Sequence, residues 1–192
     1  MASTRSTKKV RCHWVPDDDT EYARYHDLEW GRRVKDDSVF FEFLILESAQ
    51  AGLSWATILK RRPGYRKAFA NFDPEKIAQF KKRDEERLMH DAGIIRNRLK
   101  IKSTIENAKL FLTLQKEFGS FSKYVWGFVG GKTIFQSKKH EHRLTSPEGE
   151  TLAKDLKRRG FKFFGPVIAY AFLQATGLIN DHEPTCFRYQ KK

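Results

Sequence analysis

The chain has 192 residues, of which 40% are hydrophobic, and it carries a formal net charge of +13. This length fits one domain, or two small lobes that share a cleft, and the hydrophobic content is sufficient for a packed core. Such an excess of positive charge favours a polyanionic partner, with nucleic acid ahead of an anionic membrane surface. We expect neither a membrane span nor a secretory signal, because no apolar run is long enough and the N-terminus is polar.

Residues 1–10 are polar and basic and predict a disordered tail, so we expect the folded domain over residues 11–190. Helical signals dominate this domain, and no alternating strand pattern is evident. Polar capping residues and apolar periodicity predict helices over 36–52, 54–63, 73–80, 84–91, 97–117, 121–129, 146–160 and 166–176. Pro63 is expected to end or bend the second of these helices. The polar, basic residues from Gly130 to Thr145 predict a loop, and the fold class is therefore all-α with many short helices.

Two pairs of residues near the chain ends are candidate metal ligands. His182 and Cys186 have i, i+4 spacing, while Cys12 and His26 lie near the N-terminus. Two thiolates and two imidazoles form a tetrahedral set that suits zinc, and four protein ligands would make the site structural. The alternative is two unrelated buried cysteines and two ordinary histidines. Spacing alone leaves this choice open.

Glu47 lies on an apolar helix face. In the helix predicted over 36–52, Phe40, Phe43 and Glu47 follow one another at i, i+3 and i+7. Burying an uncompensated carboxylate costs several kcal/mol, so this residue needs hydrogen-bond donors or a ligand. It is a candidate for a functional site. The alternative is a structural ion pair with one of the many lysines and arginines.

Aromatic residues are dense on either side of this helix, namely Trp14, Tyr22, Tyr25, Trp30 and Trp55. Aromatic faces can sandwich a nucleobase, and a cationic base gains a cation–π attraction of about 1–2 kcal/mol. Plain core packing is the alternative for such a cluster.

The segment from Gly160 to Gly165 has the layout of a helix-hairpin-helix. One predicted helix ends at Gly160, a short turn contains Lys162, and the next helix begins after Gly165. The turn of such a hairpin offers backbone N–H groups to a phosphate. An ordinary helix–helix turn with basic flanks is the alternative. The glycine-bearing turn at 91–96 is a weaker second candidate.

These features together resemble the DNA-3-methyladenine glycosylase I family, the zinc-containing branch of the helix-hairpin-helix glycosylases. The resemblance rests on several motifs in the same order, spread over about residues 11–186. They are RCHWV at 11–15, YHDLEWG at 25–31, QAGLSW at 50–55, DAGIIR at 91–96, RGFKF at 159–163 and NDH at 180–182.

The resemblance implies an all-α, helix-hairpin-helix glycosylase-like fold, with two small lobes around a cleft and a zinc site that joins the terminal segments. It implies a monofunctional enzyme of base excision repair, without a lyase step. Such an enzyme flips 3-methyladenine out of alkylated double-stranded DNA and hydrolyses its N-glycosidic bond. We expect a monomer located in a bacterial cytoplasm, or in a nucleus if the source is eukaryotic.

The resemblance also assigns roles to individual residues. It implies one structural zinc ion with the ligands Cys12, His26, His182 and Cys186. It implies that Glu47 is the catalytic residue that contacts the extruded base, in a base-binding pocket formed by Trp55, Tyr22, Tyr25 and Trp14. It also implies that the gap left in the duplex is filled by Gly52 and Leu53, and that the DNA-anchoring hairpin contains Gly160, Lys162 and Gly165.

The chain departs from the family pattern in its N-terminal tail and in the basic loop over 132–146. Relatives in the wider superfamily place a catalytic aspartate where this chain has Asn180. A base methylated at N3 leaves as a neutral molecule, so its glycosidic bond is already weak and needs less acid–base assistance.

Three other functions compete with this interpretation. A non-enzymatic, zinc-containing helix-hairpin-helix module would share the charge, the metal ligands and the hairpin, without needing Glu47 beside Trp55. A basic RNA-binding domain would ignore base damage. A zinc hydrolase fits least, because its metal needs an open coordination position.

Overall fold

The computed structural model describes residues 9–16, 19–135 and 143–190, and it is almost entirely helical there. Residues 1–8 of the tail predicted over 1–10 and residues 136–142 of the basic loop lie outside the described residues. The helices are α1 (Thr20–Leu28), α2 (Asp37–Gln50), α3 (Trp55–Ala68), α4 (Pro74–Ala78), α5 (Lys82–Met89), α6 (Arg98–Phe118), α7 (Phe121–Gly127), α8 (Pro147–Arg158) and α9 (Pro166–Ala175). A single 3₁₀ turn, Ala70–Phe72, links α3 to α4.

Polar side chains begin most of these helices, as the sequence predicts. Ser54, Asp73 and Ser146 each accept a hydrogen bond from a backbone N–H in the first turn of α3, α4 and α8. Such caps satisfy N–H groups that have no partner inside the helix and stabilise it by about 1 kcal/mol each. The predicted N-caps are therefore confirmed.

The structure differs from the sequence prediction in three elements. Helix α3 does not end at Pro63 but continues to Ala68, where its buried residues Tyr65 and Ala68 join the core. Helix α1 was not predicted, although Asp19 caps it by accepting from the N–H groups of Glu21 and Tyr22. Two parallel strands, β1 (Ile134–Phe135) and β2 (Ile179–Asn180), pair over two residues each. A ladder that short leaves no alternating pattern to detect.

Helix α2 is the centre of the fold. Nine of its residues, from Phe40 to Ala49, are buried, so the helix is enclosed on all sides and lacks a polar face. Helices α3 and α6 contact it, as do α7 and α9. Helix α6 also packs against α4 and α5, and α9 packs against α8. We refer to α3–α6 and α7–α9 as the two lobes; α2 contacts both of them, and α6 also contacts α7.

The two ends of the described chain meet. The N–H of Phe187 donates to the carbonyl of Val10 over 2.8 Å, and both cysteines are buried nearby. Among the described residues, no helix combines the length and apolar character needed to cross a membrane.

A close approach between two glycines joins α3 to the turn before α6. A Cβ atom on Gly64 would lie 2.2 Å from the carbonyl oxygen of Gly93. We predict that Gly64→Ala lowers the free energy of unfolding by about 2 kcal/mol or more, because backbone must move to relieve the clash. Denaturant unfolding followed by circular dichroism measures this change.

Gly127→Ala is the matched control for this substitution. Gly127 is also helical, but its added Cβ meets nothing within 4 Å. Alanine should stabilise the protein there by up to about 1 kcal/mol through helix propensity. Equal effects of the two substitutions would show that the contact with Gly93 does not constrain the fold.

Candidate functional site

A cavity of about 240 Å³ opens between the two lobes. Its walls come from α1, α2, α3 and α9 and from residues outside the helices. The lining residues are Trp14, Tyr22, Tyr25, Trp30, Glu47, Gln50, Trp55, Arg143, Ala171, Gln174 and Asp181. The predicted catalytic residue Glu47 and the four predicted base-binding residues therefore line one cavity.

Glu47 reaches this cavity from the buried helix α2. Its side chain is 2% exposed, and its Oε2 atom has no hydrogen-bond partner among the described residues. Burial raises the pKa of Glu47 to about 8, so the carboxyl group is largely protonated at neutral pH in the empty cavity. The structural ion pair that the sequence left open is absent from the described part of the chain.

Aromatic rings surround this carboxyl group. The ring centroids of Tyr25 and Trp55 lie 5.3 Å apart, and those of Trp14 and Tyr22 lie 5.5 Å apart. The indole Nε1 of Trp55 is buried without a hydrogen-bond partner among the described residues. Burial and then the charge of Glu47 raise the pKa of Tyr25 well above its usual value, so its hydroxyl stays protonated. The cavity thus offers flat apolar faces with a few polar groups, as sites for planar ligands do.

Asp181 is a second buried carboxyl group in the cavity, and it was not among the predicted site residues. Its Oδ2 atom accepts hydrogen bonds from the hydroxyl of Tyr170 and the side-chain amide of Gln174. Its Oδ1 atom is buried without a hydrogen-bond partner among the described residues.

The neighbouring Asn180 lines a separate cavity together with His182, and its Oδ1 accepts from the backbone N–H of His182. Asp181 directly follows the two-residue strand β2, and its side chain lines Glu47's cavity, whereas that of Asn180 lines the other cavity. The sequence does not show where this two-residue strand lies, so the direction of the Asp181 side chain could not be predicted.

The four predicted metal ligands come together in a second site. Cys12, His26, His182 and Cys186 are all buried, and their candidate ligand atoms lie within 4.8 Å of one another. The Nδ1 atom of His182 lies 3.5 Å from the sulfur of Cys12 and 3.6 Å from that of Cys186. The Nε2 atom of His26 lies 3.4 Å from the sulfur of Cys186. This group can hold a metal ion.

Hydrogen bonds fix the outer nitrogen of each histidine ring. The Nδ1 atom of His26 lies 2.9 Å from the carboxylate of Asp27, which also binds Arg11 through two 2.9 Å contacts. The Nε2 atom of His182 lies 3.3 Å from the carbonyl oxygen of Trp30. Burial lowers the pKa of His182 to about 4, which keeps this ring neutral. Each ring therefore presents its inner nitrogen toward the two sulfurs.

The hairpin between α8 and α9 has the predicted layout. Gly160 adopts a φ of 102°, which favours glycine, and Lys162 is exposed. The side chain of Asn107 holds the turn, because it accepts from the N–H of Lys162 and donates to its carbonyl, both over 3.0 Å. Gly165 precedes helix α9 at the cap position and offers no side-chain cap, and this end of the helix is exposed.

An exposed leucine lies between α2 and α3, beside the cavity residues Gln50 and Trp55. Gly52 has a φ of 78°, and Leu53 is 38% exposed. The ammonium group of Lys100 donates to the carbonyl oxygens of Ala49 and Ala51 over 2.8 and 2.7 Å. These bonds hold the end of α2 and fix the position from which Leu53 projects.

Comparison with known proteins gives one consistent family. The model of the methyladenine glycosylase family matches residues 14–189. The chain is 45% identical over 181 residues to DNA-3-methyladenine glycosylase 1 of Escherichia coli K12, covering 93% of this chain and 96% of that protein.

Solved structures agree with this match. The crystal structure of a 3-methyladenine DNA glycosylase I superposes with a TM-score of 0.90 at 44% identity, covering 94% of this chain and all of the other. A variant of such a glycosylase, solved in complex with 3-methyladenine, has a TM-score of 0.87 at 39% identity, covering 91% and 95% of the two chains.

The burial of Glu47 predicts a pH-dependent stability difference between the natural chain and Glu47→Gln. The pKa of Glu47 is about 8 in the folded chain and 4.5 as the reference value, so between these values the folded state binds more protons than the unfolded state. The free energy of unfolding of the natural chain therefore falls as pH rises between these two pKa values, whereas the glutamine of the variant does not titrate. We predict that the free energy of unfolding of the variant, relative to that of the natural chain, increases by at least about 1 kcal/mol between pH 5 and pH 8.

Denaturant unfolding of both proteins at several pH values measures this difference. The metal ligands are the same in both proteins, so their own pH dependence cancels in the comparison. A difference that stays constant from pH 5 to pH 8 would contradict a raised pKa at Glu47.

Proposed function

The chain belongs to the methyladenine glycosylase family, and we propose that it flips 3-methyladenine out of alkylated double-stranded DNA and hydrolyses its N-glycosidic bond. The observation that carries this proposal is the unpartnered carboxyl group of Glu47, which lies among aromatic rings in a cavity between the two lobes. This arrangement suits a flat, cationic base, and the net charge of +13 suits the DNA that carries it.

Recognition of the damaged base rests on its positive charge. Adenine methylated at N3 is cationic in DNA, whereas adenine itself is neutral. The rings of Trp55, Tyr22, Tyr25 and Trp14 supply faces on which the base stacks with a cation–π contribution of about 1–2 kcal/mol. A nearby cation favours the ionised form of a carboxyl group, so the arriving base lowers the pKa of Glu47 and gains a negative partner.

Cleavage of the glycosidic bond needs little acid–base assistance from the protein once the base is bound. The C1′–N9 bond breaks, its electron pair stays with N9, and the base leaves as neutral 3-methyladenine. Water adds to C1′ and releases one proton to solvent, which yields an abasic sugar and free base. This is simple hydrolysis, in agreement with a monofunctional enzyme without a lyase step.

The DNA contacts follow from the exposed elements beside the cavity. Leu53, presented by the turn at Gly52, fills the space that the flipped nucleotide leaves in the duplex. The α8–α9 hairpin binds backbone phosphate through Lys162 and the uncapped start of α9 at Gly165, because N–H groups at a helix N-terminus favour an anion. Gly160 permits the tight turn before them.

Zinc is the metal that suits the Cys12, His26, His182 and Cys186 set. Zn–S bonds of about 2.3 Å and Zn–N bonds of about 2.0–2.1 Å give S···N separations of about 3.5 Å in a tetrahedron, which the distances of 3.4–3.6 Å match. The carboxylate of Asp27 on the outer nitrogen of His26 is a common companion of zinc-bound histidine. A zinc ion with four protein ligands supplies structural stability and no reactive position.

The Escherichia coli relative supports a bacterial cytoplasm as the compartment. The expected monomeric state stays a prediction.

Glu47→Gln tests the catalytic proposal. We predict that this variant releases 3-methyladenine from alkylated duplex DNA at least about 100-fold more slowly, because the amide cannot become the negative partner of the cationic base. Its affinity for undamaged duplex should change less than about twofold, because that affinity depends on phosphate contacts. Chromatography of the released bases gives the first quantity and fluorescence anisotropy the second.

Glu106→Gln is the matched control, because Glu106 lies on the exposed face of α6 and pairs only with Lys109 among the described residues. This variant should release 3-methyladenine at the same rate as the natural chain. Unchanged excision by Glu47→Gln would remove Glu47 from the mechanism. A natural chain that binds alkylated DNA but releases no base would instead be a non-enzymatic DNA-binding module.

Cys186→Ser tests the zinc proposal. We predict about one zinc per chain in the natural protein and less than about 0.2 in this variant, with a loss of several kcal/mol in stability. Elemental analysis and denaturant unfolding measure the two effects. His90→Asn should keep its zinc, because His90 is exposed and lies outside the four-residue cluster. Retained zinc and unchanged stability in Cys186→Ser would contradict the proposal.

A further inference from the structure

The separate cavity that Asn180 lines is strongly basic. It has a volume of about 730 Å³, against about 240 Å³ for the cavity at Glu47. Four cationic side chains line it, and none of its lining residues in the described part of the chain is acidic. The four cations are Arg32, Arg33, Lys132 and Arg188. We call this space the basic cavity. Like charges around one concave space repel each other, so an anion among them would be stabilised.

The four cations keep their charge uncompensated within the described part of the chain. Arg32 and Arg33 each donate to a backbone carbonyl, that of Asp27 over 3.4 Å and that of Gly131 over 2.7 Å. A carbonyl group is neutral, and none of the four cations forms an ion pair among the described residues. The Nε atom of Arg188 is buried and lacks a hydrogen-bond partner there. Buried donors almost always have a partner, so this atom points to a ligand.

The walls of the basic cavity are held in place by the surrounding structure. The guanidinium group of Arg33 lies over the ring of Trp126, 4.5 Å from its centroid. The N–H of Gly31 donates to the carbonyl of Gln174 over 3.0 Å, and a Cβ atom on Gly31 would lie 2.9 Å from Nε2 of His182. The segment that carries the two arginines is therefore closely packed. Groups fixed in this way lose little further freedom when a ligand binds.

The composition of the walls indicates the class of ligand. Arginine binds phosphate through two parallel N–H···O bonds, and three of the four cations are arginines. The volume lies within the range of roughly 300–1,000 Å³ that is usual for small-molecule sites. The half-buried ring of Phe135 also lines the cavity, as does Asn180, whose Oδ1 accepts from the N–H of His182. This bond leaves the Nδ2 atom of Asn180 as a donor. An aromatic face beside several cations suits a nucleobase that carries phosphates.

We propose that the basic cavity is a binding site for a free nucleoside polyphosphate, with the phosphates on the four cations and the base on Phe135. Its concave shape favours a small ligand over duplex DNA, because the elements proposed to contact the duplex, Leu53 and the α8–α9 hairpin, lie exposed at the surface. Guanidinium and ammonium groups remain charged throughout the neutral pH range, so binding depends on no titrating residue. The site is independent of the glycosylase reaction.

The first test is isothermal titration calorimetry with ATP at about 0.15 M salt. The natural chain should bind one ATP with a Kd of about 100 µM or tighter. Arg32→Gln/Lys132→Gln should bind at least about 10-fold more weakly, because charge-assisted hydrogen bonds are lost. Both side chains are exposed, so the fold should persist, and circular dichroism verifies this. Absence of saturable binding to the natural chain overturns the proposal.

Lys82→Gln/Arg83→Gln is the matched control for this variant. It removes the same charge from the exposed surface of α5, where neither residue forms an ion pair among those described. Its affinity for ATP should change less than about twofold, because salt screens distant charges. Equal losses in the two double variants would show that ATP responds only to net charge, which would overturn the proposed site.

A second test separates the nucleoside from the phosphates. Phe135→Leu should bind ATP at least about fivefold more weakly, because stacking of a base on an aromatic ring is lost. Its affinity for pyrophosphate should stay within about twofold of the natural value, because pyrophosphate has no base. Equal changes for the two ligands would overturn the assignment of a nucleotide to this cavity.

Duplex DNA carries the same phosphate chemistry and is the competing source. Fluorescence anisotropy gives the affinity of both double variants for undamaged duplex. Arg32→Gln/Lys132→Gln and Lys82→Gln/Arg83→Gln should weaken this affinity by similar factors, since each removes two positive charges. A loss at least about 10-fold greater in Arg32→Gln/Lys132→Gln, together with displacement of ATP by duplex, would place the cavity in the DNA-binding surface and overturn the proposal.

Discussion

The enclosure of α2 is the constraint on which the site depends. This helix packs against both lobes and is buried over most of its length, so any side chain near its C-terminal end enters an apolar environment. Glu47 is the one ionisable group among the buried residues of α2, and its Oε2 has no partner among the described residues. An uncompensated carboxylate there would cost several kcal/mol, and the raised pKa is the physical response to that cost.

Selectivity follows from the same burial. Glu47 is largely protonated at neutral pH, so it presents no negative charge to an undamaged base. A cationic base reverses this balance because its charge favours the ionised carboxyl group. A neutral adenine of nearly the same shape cannot do so. The proposed discrimination thus uses charge rather than the small difference in volume made by one methyl group, which a pocket detects poorly.

Much of the fold and of the candidate site could be predicted from the sequence, for reasons that differ between residues. The helical period placed Glu47 with Phe40 and Phe43, and capping residues located most helices, because these are local signals. The four candidate metal ligands are separated by up to 174 residues along the chain, so spacing could not choose between a site and unrelated residues, and the resemblance supplied the set. Asp181 could not be found, because its direction depends on a two-residue strand whose partner lies 45 residues earlier.

The metal cluster and the cavity are coupled through adjacent residues. Tyr25 precedes His26, Asp181 precedes His182, and Trp14 lies two residues after Cys12. Each of these three neighbours lines the cavity, while the ligand beside it faces the cluster. A metal that fixes the ligands to within a few tenths of an ångström also fixes these three walls, because backbone geometry transmits the constraint over one or two residues. A metal ion held by these four ligands would therefore also hold the aromatic faces and Asp181 in place, without any reactive position of its own.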